Sequence, residues 1–387
     1  MNRLREALDD VAADAPAINL ADWAITRSRR RRRARMAAAG AAGAAGLAVL
    51  TGVVLGVFPG IGPSQPDRTI VAAATGKIAD LPGRGVGPLS YAYRTFCHSS
   101  APVLTDCRNG GWRVVTRAGE TYHVPQALGY KSGQSFYPLA ISRDGRIIAY
   151  YSRPARTFKV RDLASGAEQA APVAITEAEL GGNARLELSD DGRYLAFTGY
   201  PSRKADGLII DMRARTTLPL PMGWDPRSID GATVTLTRDA KYGQQPGIWV
   251  MPLTGGGGSP IAVGEAYTRF SGLAPDGSGL AALRRDQSPY PYSYDGTITV
   301  LDAKTGKAKK TVTMRGLRKD SRGLTLGAWL NASEVTLATT PSDRWNENRH
   351  ITYAVNVETG QVRQLAVYRP QSGAFHDVIP GAPAAAW

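Results

Sequence analysis

The chain has 387 residues, of which 47 are basic, 33 are acidic and only two are cysteines. The formal net charge of +14 suits anionic partners, but outside one arginine run the basic residues do not gather on one predicted helix or among stacking aromatics. Nucleic-acid binding is therefore not expected. No zinc-type His spacing and no nucleophile-elbow motif occurs, so we expect no metal, no cofactor and no enzymatic activity.

Residues 1–35 are predicted to form a short cytoplasmic tail. They contain nine Arg and five acidic residues, and Leu4, Leu8 and Val11 recur at helical spacing. A helix of this length is marginal on its own. Two interpretations remain open for the tail: a disordered stub, or a docking segment for a cytoplasmic regulator such as a sigma factor.

Residues 36–58 are predicted to form a single transmembrane helix. They are 23 residues without a charge, directly preceded by an arginine run and followed by Pro59 and Gly60. A helix of this length spans a hydrocarbon core of about 30 Å. Positive residues stay on the cytoplasmic side, so the amino terminus is expected in the cytoplasm and the rest of the chain outside the cell membrane.

Other interpretations of this stretch remain open. Ala72-Ala73-Ala74 would suit cleavage of a long signal peptide, and Ser28-Arg29-Arg30 would suit a twin-arginine signal. A buried helix of a soluble protein is a further alternative.

Residues 59–85 are rich in Pro and Gly and are predicted to be a linker that enters the next domain as an outer strand. The two cysteines, Cys97 and Cys107, lie beyond it, in the part expected outside the cytoplasm. Ten positions separate them within one predicted hairpin. A disulfide in an oxidising compartment is the preferred interpretation, with two free thiols as the alternative.

From residue 86 to the carboxyl terminus the pattern is all-β and repetitive. The clearest copies of the repeat are 139–150 and 186–197, each containing Ser-x-Asp-Gly-Arg between two apolar runs. Asp-Gly is a strong signal for a tight hairpin turn. A second half follows each copy, as in 247–255 and 297–306, and consists of a third strand, a turn that ends in Gly, and a fourth strand.

The turn residues Asp144, Asp191, Asp230, Asp276 and Asn331 recur at intervals of 47, 39, 46 and 55. Four strands in about 40–50 residues are typical of a β-propeller blade. Six blades are predicted, over residues 86–125, 136–175, 184–222, 225–264, 268–315 and 322–367. Residues 66–85 and 368–387 are expected to close the ring or to form a seventh, degenerate blade.

These runs, together with Ile-Trp-Val-Met-Pro-Leu-Thr-Gly-Gly at 248–256, resemble the WD40-like repeats of TolB-type propellers. The resemblance covers about residues 86–367 and implies the fold, while propellers serve many functions. The eukaryotic Trp-Asp and Gly-His signatures are missing. The layout of anchor and propeller resembles membrane-tethered propeller proteins of actinobacteria.

Long, varied loops are predicted between the second and third strands of the blades, and these loops should meet on one rim. A rigid scaffold that presents loops is a common way to build a binding face, and exposed Tyr, Trp and Arg often anchor interfaces. The predicted binding residues are Tyr242, Arg284, Arg285, Tyr290, Tyr292, Tyr294, Trp345 and Arg349. Tyr290, Tyr292 and Tyr294 could instead pack their own rings onto the blade.

The sequence thus predicts a membrane-tethered, noncatalytic scaffold that binds a protein or an anionic envelope polymer through this rim, with residues 36–58 in the lipid bilayer. Signal relay through the tail is the first alternative. A secreted propeller enzyme is the second, because acids and His drawn from several strands into a channel leave no local motif.

Overall fold

The computed structural model describes residues 69–71, 78–95, 111–129, 139–181, 185–199, 206–239, 245–286, 294–317, 322–340, 350–369 and 375–381. The chain divides into residues 1–64 and 65–387, and all described residues belong to the second unit. The predicted tail, the segment 36–58 and both cysteines lie outside them. Within these ranges no helix has the length and apolar character needed to cross a membrane.

The described residues form β-strands and one 3₁₀ turn, Glu177–Glu179. The strands are β1 (Thr69–Val71), β2 (Leu89–Thr95), β3 (Trp112–Thr116), β4 (Thr121–Val124), β5 (Leu139–Ile141), β6 (Ile147–Ser152), β7 (Thr157–Asp162), β8 (Glu168–Ala170), β9 (Leu186–Leu188), β10 (Tyr194–Thr198), β11 (Gly207–Asp211), β12 (Thr216–Leu220), β13 (Asp225–Asp230), β14 (Thr233–Arg238), β15 (Gly247–Pro252), β16 (Ile261–Ala262), β17 (Tyr267–Leu273), β18 (Gly279–Arg285), β19 (Tyr294–Asp302), β20 (Ala308–Thr313), β21 (Arg322–Trp329), β22 (Glu334–Thr340), β23 (His350–Asn356), β24 (Val362–Arg369) and β25 (Phe375–Pro380).

These strands form six sheets, one for each blade of a propeller, and the four strands of each blade are antiparallel. Blades 2 to 6 begin with β5, β9, β13, β17 and β21, and each takes four consecutive strands. Blade 1 consists of β2, β3 and β4, with β25 as its innermost strand. The prediction of a six-bladed all-β propeller is confirmed, and the described residues contain no seventh blade.

One apolar cluster fills each junction between neighbouring blades, and together the six clusters close the ring. Phe158 and Phe197, with ring centroids 4.5 Å apart, join blades 2 and 3. The junction of blades 6 and 1 uses tyrosines instead, with Tyr91 and Tyr368 in edge contact at 5.0 Å. Burial of apolar surface between blades therefore supplies the main stabilisation of the ring.

The carboxyl end of the described chain closes the ring, as expected for residues 368–387, whereas the amino-terminal segment adds to the outer edges of blades 6 and 1. At the carboxyl end β25 pairs with β2, so the last strand of the chain completes the first blade. At the amino end β1 pairs in parallel with β24 at the outer edge of blade 6. The chain then runs along the outer edge of blade 1, where Leu81 N donates to His123 O at 2.7 Å.

The first turn of each blade follows the repeat seen in the sequence. In blade 2 the Asp144 carboxylate accepts Ser142 Oγ at 2.8 Å and Arg146 N at 3.0 Å. In blade 3 Asp191 accepts Ser189 Oγ at 2.7 Å and Arg193 N at 3.0 Å. These Asx-type bonds hold the turn without help from the rest of the fold.

The turn between the third and fourth strands repeats as well, and its glycine packs on a neighbouring segment. Asp162 Oδ1 accepts Ala164 N at 2.8 Å and Ser165 N at 2.7 Å, and Gly166 follows at φ +83°. A Cβ at Gly166 would overlap the backbone of Gly83 in the segment along blade 1. Glycine is thus required here by both the left-handed conformation and the close approach.

Candidate functional site

The propeller has two unlike faces. The turns between strands one and two and between strands three and four lie on one side, here called the turn face. The connections between strands two and three, and from one blade to the next, lie on the opposite side, here called the loop face. By their place in the chain, the predicted binding residues fall between the second and third strands of blades 4, 5 and 6 or at the ends of those strands.

The structure describes three of the eight predicted binding residues: Arg284, Arg285 and Tyr294. The other predicted residues lie outside the described ranges, and their contacts stay a prediction: Tyr242, Tyr290, Tyr292, Trp345 and Arg349. The disulfide between Cys97 and Cys107 also lies outside these ranges and stays a prediction.

The three described residues stand together at the loop-face end of blade 5. Arg284 and Arg285 end β18 and are exposed, and Arg284 Nε lies 3.7 Å from Asp295 Oδ2. Tyr294, opposite Arg285 in the sheet, is half-buried and donates its hydroxyl to Leu324 O of blade 6 at 3.2 Å. Tyr294 therefore joins two blades, while the two arginines remain accessible to a ligand.

The residues that flank the neighbouring loop of blade 4 are also held by specific contacts. Arg238 Nε donates to Gln245 O at 2.9 Å across the ends of β14 and β15. Its guanidinium lies 4.8 Å from the ring centroid of Trp224, which makes an edge contact with Trp249 at 5.6 Å. A hydrogen bond and a cation–π contact thus fix the two ends of the loop that carries Tyr242.

Ionic groups also meet near the ring axis on the turn face, and no motif in the sequence indicated them. Arg143 extends from the first turn of blade 2 and forms an ion pair with Asp230 of blade 4. Its backbone N donates to Asp190 Oδ1 of blade 3 at 3.1 Å. One arginine thus links three consecutive blades at this end of the channel.

Glu187 belongs to this channel cluster and has an unusual protonation equilibrium. It lies on β9 between Leu186 and Leu188, whose side chains enter the core shared with blade 2, so Glu187 faces the other way. Burial above all raises the pKa of Glu187 to about 8; the charge of Arg185 opposes this rise and Asp230 adds to it. Glu187 is therefore largely protonated at neutral pH.

The described residues contain no candidate metal site. In the ranges that the structure covers, no three His, Cys, Asp or Glu residues are arranged to hold a metal ion. His123 places Nδ1 3.0 Å from Asp80 Oδ1 at the outer edge of blade 1. That pair joins the amino-terminal segment to the blade.

Several solved structures are similar to that of this chain. The structure is similar to TolB from Acinetobacter baumannii, with 20% sequence identity, 75% of this chain and 68% of that chain covered, and a TM-score of 0.45. It is also similar to the Cps50 (Swd1) β-propeller domain of Myceliophteria thermophila, with 13% identity, 62% and 73% coverage and a TM-score of 0.38.

An oligogalacturonate lyase solved in complex with manganese is a third similar structure, with 15% identity, 71% and 78% coverage and a TM-score of 0.43. No family model and no curated protein matches the chain. These likenesses concern the fold alone, and the third of them is to an enzyme. The blade count rests on the six sheets themselves.

Proposed function

We propose that the protein is a noncatalytic binding scaffold whose loop face takes a protein or an anionic envelope polymer. The observation that carries this proposal is the pair Arg284 and Arg285, both exposed at the end of β18. They lie next to Tyr294, whose hydroxyl donates a hydrogen bond to the next blade. Binding groups on a rigid base lose little conformational entropy when a partner docks. Exposed arginines offer bidentate hydrogen bonds to carboxylates and phosphates.

We further propose that residues 36–58 anchor the propeller in the membrane with the loop face outside the cytoplasm. The support is the uncharged stretch and the arginine run that precedes it. A tag at the carboxyl terminus should be cleaved by protease added to intact cells. A tag that resists protease until the cells are lysed would contradict this topology.

The binding proposal is tested by crosslinked pull-down of the full-length protein from membranes. The double variant R284A/R285A should recover at least tenfold less partner than the wild type, because central arginines often dominate interface energy. The matched control is K304A/K307A, which removes two exposed positive charges from the turn face of the same blade. Equal recovery with R284A/R285A and the wild type would exclude the loop-face end of blade 5 as the binding surface.

A further inference from the structure

The innermost strands of blades 4 and 5 carry β-bulges at the same place. The pairing of β13 with β14 shifts register between Pro226 and Ser228, which isolates Arg227. The pairing of β17 with β18 shifts between Thr268 and Phe270, which isolates Arg269. Each arginine is the third residue of its strand, counted from the loop face. Bulges redirect side chains and are frequent beside functional sites.

Arg269 also has a costly backbone conformation. Its φ is +51°, in the left-handed region that residues with a Cβ seldom adopt. Only three non-glycine residues in the described ranges have positive φ, and the other two, Arg156 and Arg215, lie in turns. Backbone strain of this kind is frequent at functional sites, and here it sets the direction of the Arg269 guanidinium.

The two guanidiniums converge on a single carboxylate oxygen. Arg227 Nη2 lies 3.9 Å and Arg269 Nη1 3.5 Å from Asp239 Oδ2, and Arg269 N lies 3.4 Å from Oδ1. Close contacts between arginine and carboxylate are about 2.7–2.9 Å. Asp239 therefore lies too far from Arg227 Nη2 to satisfy it.

Arg227 in particular has an unmet hydrogen-bonding need. Its side chain is only 4% exposed, and its Nε is fixed by Thr237 Oγ1 at 2.7 Å. The Nη2 atom is buried and has no hydrogen-bond acceptor among the residues that the structure describes. A buried donor left without an acceptor is destabilising, and more so when it is charged. An acceptor that enters from the loop face would remove this cost.

From this geometry we propose that Arg227 and Arg269 form an oxyanion site that takes a carboxylate or a phosphate group between blades 4 and 5. Asp239 directly precedes the blade 4 loop at 240–244, so the site lies at the base of a predicted binding loop. The inference rests on the proposed function in one respect: it names the chemical group that the loop face recognises in its partner. The site itself is tested with small anions and needs no partner.

The test measures thermal unfolding and calorimetric binding of the full-length protein with inorganic phosphate as the probe, against chloride at equal ionic strength. Phosphate should raise the melting temperature of the wild type by several degrees, because a ligand that binds only the folded state stabilises it. Acetate in a parallel series separates carboxylate from phosphate recognition. No anion-specific effect of either probe would overturn the proposal.

Two variants with opposite expected signs make the test specific. R269N, which keeps a residue that tolerates left-handed φ, should weaken phosphate binding at least tenfold. D239N, which removes the competing carboxylate, should strengthen it about tenfold. R193Q is the control, because Arg193 pairs with Asp211 at 2.8 Å on the turn face and its loss should leave phosphate binding unchanged.

Equal phosphate affinity in R269N and the wild type, or weaker affinity in D239N, would show that the arginines serve only to hold Asp239. Such a result would leave the pull-down outcome with R284A/R285A standing, so failure of the anion site and failure of the scaffold proposal are distinguishable.

Discussion

The turn face and the loop face of the propeller are built by different means. On the turn face the same hydrogen bonds recur, as with Asp144 in blade 2 and Asp191 in blade 3. On the loop face the described contacts differ from blade to blade: an ionic cluster around Asp239, a cation–π contact at Arg238 and a tyrosine hydrogen bond at Tyr294. The repeated side maintains the ring, and the varied side is free to specify a ligand.

The largest loss of stability should come from replacing a turn-face glycine that packs on a neighbouring segment. G166A should lower the free energy of unfolding by about 3 kcal/mol or more. The new Cβ would overlap the backbone of the neighbouring segment, and the alanine would have to adopt a left-handed φ. Denaturant unfolding followed by fluorescence measures the change.

Gly119 provides the matched control for this change. It lies in the corresponding turn of blade 1 at φ +90°, where a Cβ would point into open space. G119A should cost only about 1 kcal/mol, the conformational part of the penalty. Equal losses in the two variants would mean that packing of the turn on its neighbour contributes nothing.

A second effect concerns the channel and depends on pH. The pKa of Glu187 is raised from 4.5 to about 8. Between these two pH values Glu187 is protonated in the folded state and ionised in the unfolded state. Stability must therefore fall as pH rises through this range. E187Q should match the wild type near pH 4 and exceed its unfolding free energy by about 3 kcal/mol above pH 8. This is less than the full shift of the pKa implies, because Glu187 is only half-buried and solvent screens its charge.

Glu168 gives the control of opposite sign. Burial would raise its pKa, but hydrogen bonds from Lys159 and Tyr150 prevail and lower it. E168Q should therefore lose stability at pH 7, and the loss should shrink on acidification. Stability curves of E187Q and the wild type that run parallel from pH 4 to 9 would contradict the assignment.

The smallest effect tests whether the repeated first turn is stabilised by its own hydrogen bonds. D191A removes the acceptor of Ser189 Oγ and Arg193 N and should cost about 1–2 kcal/mol. D191N keeps an acceptor oxygen and should cost less than half as much. A loss as large as that of G166A would mean that the turn depends on contacts between blades rather than on its own hydrogen bonds.

The sequence predicted the blades well because their signals are local. Alternating apolar residues and Asp-Gly turns repeat within a few residues of each other, and the structure has strands and turns at those positions. The detail of the turn differs: at 142–145 only Gly145 has positive φ, and Gly145 N donates to Ser142 O at 2.8 Å. Asp144 acts through its carboxylate, since Asx-type bonds need no left-handed backbone.

The site was harder to predict. Tyr294 was predicted to contact a ligand, with packing of its ring onto the blade left open as the alternative. The structure half-buries Tyr294, and its hydroxyl donates to Leu324 O of blade 6. Arg227, Arg269 and Asp239 were not predicted at all. A bulge leaves no periodic mark in the sequence, and 30 residues separate Arg269 from the carboxylate that it approaches.

The sequence by itself determined the repeat and the places of the turns, because each depends on hydrogen bonds and apolar alternation within one blade. It left six or seven blades open, and the six sheets of the structure decided between them. Only the tertiary structure decided which charges meet. Arg143 reaches Asp230 two blades away, and two bulged arginines share Asp239, because closing the ring brings distant residues to a common axis. Electrostatic contacts fall off with distance in space, and distance along the chain does not reveal them.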